Sequence, residues 1–458
     1  MHNTVHQGEQ DAALTQTLAH RALAIRFEKL PTEIHALATQ CILDWIAVAL
    51  AGSQEPLVRI LLTDLCEQGG HPQGTIVGHA ERLPVLAAAL VNGAASHALD
   101  YDDVNLSMTG HPTVAVLPGV LALAEQRNAS GRDLIAAFVA GYEAACDIGA
   151  RMGASHYARG FHATATIGSF GSAAACAHLL RLDPDQTAHA LGIAGTQAAG
   201  LKSMFGTMCK PLHAGKAAYN GLIAARLAAR GFDSRKDVLE TVQGFAATQS
   251  DGLKPLAPNR PATGFYLREN LFKYHAACYL THAGIECGRA LREQHGIDSA
   301  DIRHVALRVD QGCDKVCNIV EPRTGLEAKF SLRQTAAFAL AGVDTARLDT
   351  YDEARMSESK VAALRNKVSV ELLPDRPHTL AEMEVELVDG RRFSTSFDTG
   401  IPASSVEEQG RRIDAKFLSL ASPVLGQARA EEIREMVHRL DRLSSVAELT
   451  RLLVPSFK

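Results

Sequence analysis

The chain has 458 residues, of which 47% are hydrophobic and 21% are charged, values typical of a folded globular protein and not of a disordered chain or a coiled-coil rod. This length exceeds the size at which a single core keeps growing, which favours two domains. The 46 basic and 51 acidic residues give a formal net charge of -5 without a long block of either sign, so nucleic acid is not an expected partner.

Cysteine usage and the absence of targeting signals predict a cytoplasmic location. The nine cysteines include no CxxC pair, which is typical of scattered thiols in a reducing compartment. Segment 1–10 lacks the cationic start and apolar core of a signal peptide. The uncharged stretch 163–180 consists mainly of Ala, Gly, Ser and Thr, and we interpret it as a buried helix, so no membrane association is predicted.

The first part of the chain, from about residue 12 to residue 265, has a helical period. One apolar stripe contains Ile34, Leu37, Cys41, Trp45 and Val48. Similar patterns recur further along, at 86–99, 115–126, 131–148, 164–182 and 211–231. These patterns predict a helical domain in which small residues allow close packing.

Beyond residue 301 the pattern changes to period two, which indicates strands at 305–309, 368–372, 383–387 and 393–397. The Asp389-Gly390 pair predicts a tight hairpin with both central residues at positive φ. Two helical stretches, 279–295 and 329–340, occur in the same region, which therefore predicts an α+β domain with a small antiparallel sheet.

The helical pattern returns after residue 400. We therefore predict a mostly α fold with a large all-helical domain over residues 1–266, completed by residues 400–458. A smaller α+β domain over residues 267–399 is inserted into it, as expected of a lid over a cleft.

Several common catalytic motifs are missing from the sequence. No GxGxxG follows a strand, Gly215-Lys216 lacks the other residues of a phosphate-binding loop, and neither GxSxG nor HExxH occurs. No nucleotide cofactor is predicted, and catalysis would depend on ordinary side chains.

The segment 96–118 carries the first candidate constellation. Asp100, Asp102, Asp103 and His111 follow the end of an apolar helix, where carboxylates are electrostatically disfavoured. One interpretation is a solvated turn with a capping aspartate. The other is an acid and base pair, because an aspartate beside a histidine allows their pKa values to be driven apart.

The second candidate is Lys210, directly before Pro211 at the start of a helix. A cation at a helix N-terminus is tolerable when an anion joins it, so we interpret Lys210 as the binding group for a carboxylate. Lys202 supplies a possible second charge. A solvated lysine is the alternative for both.

Two further segments, 156–162 and 272–282, place several histidines beside a cation. Zinc is a rival interpretation, but these spacings match no established zinc pattern, so no metal is predicted. Each histidine is otherwise explained equally well as a satisfied core residue.

Five stretches of this sequence together resemble the MmgE/PrpD family in order and spacing: HALDYDD with GHPTVAVLPGVLALAE, GFHATATIGSFGSAAA, KPLHAGKAAYNGLIAARLAARGF, KYHAACYLTH and AKFSL. The resemblance extends over roughly residues 27–400. It implies a large helical domain, a smaller α+β lid, a homodimer, and an active site between the domains without metal or coenzyme. Family members include 2-methylcitrate dehydratase, cis-aconitate decarboxylase and iminodisuccinate epimerase.

The resemblance assigns the catalytic positions to Asp100, His111, His162 and Lys210. The predicted substrate-binding residues are Lys202, Met204, Lys273, His275, Cys278 and Tyr157. Two positions depart from the decarboxylase pattern, because Val104 and Cys278 stand where that enzyme has threonine and a catalytic histidine.

We therefore predict a cofactor-independent enzyme that removes a proton α to a carboxylate in a small di- or tricarboxylic acid. The leading hypothesis is a lyase similar to 2-methylcitrate dehydratase. An epimerase similar to iminodisuccinate epimerase is the alternative, and cis-aconitate decarboxylase ranks below it. A protein that binds polycarboxylates without converting them stays open as a hypothesis from a different class.

Overall fold

The computed structural model describes residues 13–255, 261–356 and 358–455. The chain forms two compact units. The first comprises the chain up to Phe272 and again from Ser404, and the second comprises Lys273–Ala403. Segment 1–10, used above to judge export, lies outside the described residues.

The first unit is built from helices, with one short antiparallel ribbon formed by β1 (Gly74–Thr75) and β2 (Arg82–Leu83). Its N-terminal helices are α1 (Leu14–Ala24), α2 (Thr32–Gly52), α3 (Pro56–Gln68), α4 (Val85–His97), α5 (Pro112–Gln126), α6 (Gly131–Ala158), α7 (Ala163–Leu179), α8 (Pro184–Gly195), α9 (Cys209–Ala228) and α10 (Phe245–Gln249).

The core of this unit lies where α4, α5, α7 and α9 pack against one another. Helix α7 is buried at every residue from Ala163 to Ala177, as interpreted from its uncharged sequence. Helix α2 is the one described helix long and apolar enough to cross a membrane, and 78% of its apolar window is buried inside the protein. Core helices of soluble proteins have the same length and hydropathy.

The second unit contains a four-stranded sheet of β3 (Ile302–Asp310), β4 (Val368–Leu373), β5 (Leu380–Leu387) and β6 (Arg392–Asp398), in the order β4-β3-β5-β6. The prediction of an antiparallel sheet was wrong for β4, which pairs parallel to β3. A parallel pair needs a long crossover, and here it contains several helices. The helices of this unit are α11 (Tyr279–His295), α12 (Asp314–Cys317), α13 (Gly325–Lys329), α14 (Leu332–Leu340), α15 (Glu353–Met356) and α16 (Ser359–Arg365).

The hairpin between β5 and β6 differs in detail from the predicted tight turn. Leu387 N–H donates to Arg391 O over 2.9 Å, Gly390 N–H donates to Leu387 O over 3.0 Å, and Gly390 has φ 86°. Asp389 is not at positive φ. A three-residue connection that ends in a left-handed glycine joins the strands, so only the glycine takes the conformation expected for both residues.

The chain returns to the first unit through α17 (Val406–Leu425), α18 (Gln427–His438) and α19 (Ala447–Thr450). Helix α17 packs along α2, so the two ends of the chain build one core. Ser405 begins α17 by accepting a hydrogen bond from the N–H of Glu408, a normal capping arrangement.

Candidate active site

The four residues predicted to be catalytic all belong to the first unit. Asp100 follows α4, His111 and His162 directly precede α5 and α7, and Lys210 is in the first turn of α9. Lys210 Nζ lies 2.8 Å from Asp100 Oδ1, and His111 Nε2 lies 3.7 Å from the same oxygen. The His97 ring connects His162 to this group, with ring centroids 4.6 Å from His111 and 5.9 Å from His162. The structure therefore brings all four residues into one cluster.

Asp100 owes its position to an unusual backbone conformation. Its φ of 51° lies in the left-handed region, which aspartate tolerates better than most residues, and its N–H donates to His97 O over 3.2 Å. The Asp100 side chain stays 46% exposed, whereas that of Lys210 is 16% exposed. Asp100 is thus the anion that Lys210 needs at the start of a helix, and solvent reaches the pair from one side.

A buried carboxylate links two histidine rings at the base of the cluster. Asp102 Oδ1 lies 2.9 Å from His97 Nδ1, and Asp102 Oδ2 lies 2.9 Å from His111 Nδ1. Burial alone would raise the pKa of Asp102, but the charges and hydrogen bonds of His97 and His111 hold it well below its usual range. Burial also lowers the pKa of His97 to about 4. At neutral pH an ionised Asp102 therefore accepts a hydrogen bond from a neutral His97.

The same contacts decide which nitrogen of His111 carries its proton. His111 Nδ1 lies 2.9 Å from both the Asp102 carboxylate and the backbone oxygen of Asp103, and both groups are acceptors. Nδ1 therefore carries a proton, and Nε2 is the ring nitrogen that faces Asp100. A histidine held this way can take a proton at Nε2.

Asp103 differs from its neighbour Asp102 in protonation. Burial raises the pKa of Asp103 to about 8, with further upward contributions from the charges of Asp44 and Asp102. Thr113 Oγ1 donates to Asp103 Oδ2 over 2.5 Å, and this hydrogen bond only partly opposes the shift. At neutral pH Asp102 is thus ionised, whereas its neighbour Asp103 is mainly protonated.

A second histidine pair lies on the other side of the cluster. His162 Nδ1 is 3.0 Å from His213 Nδ1, so one ring donates and the other accepts. Burial, followed by the charges of His97 and His111, lowers the pKa of His162 far below its usual value. Burial and Lys210 likewise lower the pKa of His213. The lowered pKa makes His162 a neutral histidine, and the ring of Phe205 packs edge-on against it at 5.0 Å.

His97, His213 and the pairing role of Asp102 were missed by sequence reasoning. A signal for two of them was present in the spacing: His97 lies one turn before Asp100, and His213 lies one helical turn after Lys210 on α9. The hydrogen bond between His162 and His213 joins residues 51 positions apart in the chain. The sequence alone does not show that they are close in space.

The predicted binding residues of the first unit flank the cluster. Lys202 Nζ donates to Tyr157 O over 3.1 Å and lies 3.6 Å from the centroid of the Tyr157 ring. Burial, followed by the charge of Asp100, raises the pKa of Tyr157, which places this phenol within electrostatic reach of Asp100. Met204 is half-buried and ends the short turn Lys202–Met204.

The other three predicted binding residues belong to the second unit. Lys273 and His275 are both 2% exposed. Thr345 Oγ1 lies 2.7 Å from His275 Nδ1, and Glu286 Oε1 lies 3.1 Å from His275 Nε2, so the His275 ring is hydrogen-bonded on both sides. Cys278 is half-buried directly before α11.

Four side chains of the cluster have the geometry of a possible metal site. One ligand atom from each of His97, Asp100, Asp102 and His111 lies within 4.8 Å of the others, and no other such group occurs among the residues that the structure describes. Lys210 already places a positive charge 2.8 Å from Asp100, and Asp102 already accepts hydrogen bonds from both rings. The donor set is therefore satisfied by the protein's own groups and fits proton transfer better than ion binding.

Family models match nearly the whole chain. The model of the MmgE/PrpD N-terminal domain matches residues 16–256, and that of the MmgE/PrpD C-terminal domain matches residues 275–442. The chain belongs to the MmgE/PrpD family. The prediction of a mostly helical fold with a smaller α+β domain is thereby confirmed.

Curated relatives of this MmgE/PrpD protein carry the name cis-aconitate decarboxylase. The Aspergillus terreus enzyme is 28% identical, and the match covers 96% of each chain. The human enzyme is also 28% identical over 96% of this chain and 94% of its own, and the mouse enzyme is 28% identical over 96% and 93%. The relatives are enzymes that act on a small tricarboxylic acid.

Proposed function

We propose that this protein is an enzyme that transfers a proton at a carbon atom next to a carboxylate in a small di- or tricarboxylic acid. The observation that carries the proposal is the cluster in which Lys210 contacts Asp100 while His111 Nε2 faces the same carboxylate. Loss of the α-proton creates an enediolate-like dianion, which is costly in water. Lys210 and the start of α9 offer positive charge to such an anion.

The protonation states support a division of roles between the histidines. His111 keeps its proton on Nδ1 beside Asp102, so its Nε2 is the better base for the substrate. Asp100 is stabilised as an anion by Lys210 and is therefore a weaker base; its role is to orient Lys210. His162 and His213 form a second pair for the other proton transfer of the reaction.

For the complete reaction we propose the loss of water, as in 2-methylcitrate dehydratase. In that reaction the base takes the α-proton and an acid protonates the departing hydroxyl group. An epimerase such as iminodisuccinate epimerase would return a proton to the opposite face instead. Both reactions need one group that removes the α-proton and a second that delivers a proton, either to the departing hydroxyl group or to the opposite face of the carbon, and the pairs around His111 and His162 can supply them. A cytoplasmic homodimer without a cofactor stays part of the prediction.

Decarboxylation is a second candidate, and the names of the relatives favour it. It passes through a similar carbanion, but a carbon–carbon bond breaks and the cluster then supplies a proton. Against it stand Val104 and Cys278, at positions where the resemblance places threonine and a catalytic histidine in the decarboxylase.

Proton NMR of the purified protein in D2O separates these reactions. The substrates are 2-methylcitrate, cis-aconitate and iminodisuccinate, each incubated with the protein. Loss of water, loss of carbon dioxide or a change of configuration identifies the class, and deuterium entering the α-position shows proton transfer. If an acid binds tightly but is neither converted nor labelled with deuterium, the protein is a polycarboxylate-binding protein and the proposal of an enzyme is refuted.

The role of Lys210 gives the sharpest test by mutation. Lys210→Ala should lower kcat by about 10²-fold to 10³-fold on whichever acid is turned over, because it removes the charge that stabilises the anionic intermediate. Lys216→Ala is the matched control, because Lys216 lies on the same helix, is exposed and contacts Tyr219 at 4.2 Å. Equal turnover by the two variants, with both folded by circular dichroism, would contradict the proposal.

A further inference from the structure

His97, the last residue of α4, holds the turn that carries Asp100 and Asp102. The backbone oxygen of His97 accepts a hydrogen bond from the N–H of Asp100 over 3.2 Å. The His97 side chain is 0% exposed, and its Nδ1 lies 2.9 Å from Asp102 Oδ1 and 3.1 Å from Asp102 Oδ2. One residue therefore contacts both aspartates, the first through its backbone and the second through its ring.

The proton of the His97 ring lies on the nitrogen beside Asp102. Burial lowers the pKa of His97 to about 4, so the ring is neutral at neutral pH and has a single N–H. Nδ1 faces the Asp102 carboxylate, which is an acceptor. No described residue forms a hydrogen bond with the other nitrogen, Nε2, which is buried. His97 is therefore a neutral donor to Asp102 through Nδ1.

Asp102 accepts a second N–H from His111. Asp102 Oδ2 lies 2.9 Å from His111 Nδ1 and 3.1 Å from His97 Nδ1. A carboxylate with one donor can still turn about its Cβ–Cγ bond, whereas two donors on separate rings fix both of its oxygens. Because His97 is neutral, it fixes Asp102 without cancelling the negative charge, which a lysine or arginine in its place would do.

The negative charge distinguishes Asp102 from the other acceptor near His111. The backbone oxygen of Asp103 also lies 2.9 Å from His111 Nδ1, but it is uncharged. A carboxylate forms the stronger hydrogen bond, and it stabilises the imidazolium that forms when Nε2 takes a proton. If Asp102 turned away, His111 would keep only the weaker partner.

We propose that His97 is a positioning residue that holds the Asp102 carboxylate in place for His111. His97 does not contact the substrate in this role. It acts through Asp102 on the Nδ1 proton of His111, and thereby on the basicity of His111 Nε2. The effect on turnover rests on the proposed function, whereas the effect on the hydrogen bond between His111 and Asp102 does not.

A matched pair of variants isolates the N–H of His97. In His97→Asn the amide nitrogen replaces Nδ1 as a donor to Asp102, whereas the leucine of His97→Leu has a similar shape and no donor. Both variants lack the imidazole ring, whose centroid lies 4.6 Å from that of His111, so its ring current is removed equally from both. A difference between the two variants therefore comes from the hydrogen bond to Asp102.

Proton–nitrogen correlation NMR of the free protein, with 15N-labelled histidine, observes the partner of His111 without a substrate. The His111 Nδ1–H signal, assigned by its loss in His111→Gln, should stay downfield in His97→Asn and move upfield in His97→Leu. His178→Leu is the control and should leave this signal unchanged, because His178 Nε2 instead lies 2.9 Å from the backbone oxygen of Ile25. The same proton shift in both His97 variants, or a downfield shift in His97→Leu, would overturn the proposal.

Turnover is the second readout. His97→Leu should lower kcat by about 10-fold to 100-fold with little change in KM, because His111 becomes a weaker base, and His97→Asn should regain most of that loss. Equal kcat values for the two variants would also overturn the proposal. If none of the tested acids is converted, the proposed function is refuted, and the spectra of the free protein still decide the role of His97.

The wild-type spectrum provides a test that does not depend on the folding of His97→Leu. The ring signal of His97, assigned by its loss in His97→Asn, should come from Nδ1–H, with Nε2 unprotonated. A His97 proton on Nε2 would leave Asp102 without this donor and would overturn the proposal.

Discussion

Asp103 is the residue whose ionisation should most visibly couple to folding. Burial raises its pKa to about 8 from an ordinary 3.8. Between these values the unfolded chain has released this proton while the folded chain retains it. The free energy of unfolding therefore falls as pH rises through this window, by as much as about 1.4 kcal/mol per pH unit from this one group.

Asp103→Asn removes the ionisable group, so the loss of stability with rising pH that Asp103 causes should disappear. The asparagine keeps an oxygen that accepts the hydrogen bond from Thr113. Relative to wild type, its melting temperature should therefore increase progressively from pH 5 to pH 8, as measured by thermal unfolding at each pH. Asp64→Asn on the exposed surface of α3 is the control and should show a constant difference. The same difference for Asp103→Asn at pH 5 and pH 8 would show that Asp103 is ionised in the folded protein.

The residues of the cluster were only partly predictable from sequence. Asp100, His111, His162 and Lys210 belong to local motifs that carry the family resemblance, and the structure places them together. The ion pair between Lys210 and Asp100 joins residues 110 positions apart, so no local pattern could reveal it. The different protonation states of Asp102 and Asp103 depend on burial and on neighbouring groups, which the sequence does not show.

At the scale of elements, two glycines fix the approach of α4 to α9. A Cβ on Gly215 would lie 2.2 Å from Leu90 O, and a Cβ on Gly93 would lie 2.7 Å from Gly215 Cα. This crossing brings the end of α4, which leads into Asp100, beside the start of α9, which carries Lys210. The close packing of small residues therefore sets the geometry of the cluster.

Gly215→Ala should separate the two helices, because the new methyl group meets backbone that cannot turn aside. We expect a loss of about 1–3 kcal/mol in stability and a lower kcat, measured by urea unfolding and turnover. Gly284→Ala on α11 is the control, since its Cβ would meet only Leu307 side-chain atoms at 3.4 Å. A Gly215→Ala variant as stable and active as this control would show that α4 and α9 can accommodate an extra methyl group where they cross.

Helix and strand prediction succeeded where the pattern was long and periodic. Helix α11 begins and ends at the predicted residues 279 and 295. The predicted helix 329–340 begins only at Leu332, because Lys329 ends α13 and Ser331 caps α14 by accepting a hydrogen bond from the N–H of Gln334. Parallel pairing of β4 was missed because strand direction depends on the crossover between strands, and period-two alternation is the same for both directions.

At the scale of the molecule, the first unit is assembled from both ends of the chain, and one buried ion pair joins them. Lys416 Nζ on α17 lies 2.6 Å from Asp44 Oδ1 on α2, and both side chains are 2% exposed. The same ammonium donates to Tyr101 O over 2.7 Å. Tyr101 follows Asp100, so this one lysine holds α2, α17 and the backbone of the candidate site together.

Lys416→Met should be among the most destabilising single changes in the first unit. It leaves the Asp44 carboxylate buried without its cation, which costs about 3–5 kcal/mol when one partner of such a pair is removed. Lys416→Met combined with Asp44→Leu should regain much of that loss, since two apolar side chains can replace a buried pair. Urea unfolding measures both.

The control is Arg411→Met, on the same helix, whose ion pair with Glu407 is exposed at 67% and 84%. An exposed pair contributes roughly 0–1 kcal/mol, so this variant should unfold close to wild type. If the free energy of unfolding of Lys416→Met also lies within about 1 kcal/mol of the wild-type value, water or another group must stabilise the charge of the Asp44 carboxylate. If the double variant is no more stable than Lys416→Met, the loss of stability comes from the missing hydrogen bond to Tyr101 O. Helix α17 would then stabilise the backbone next to Asp100 directly.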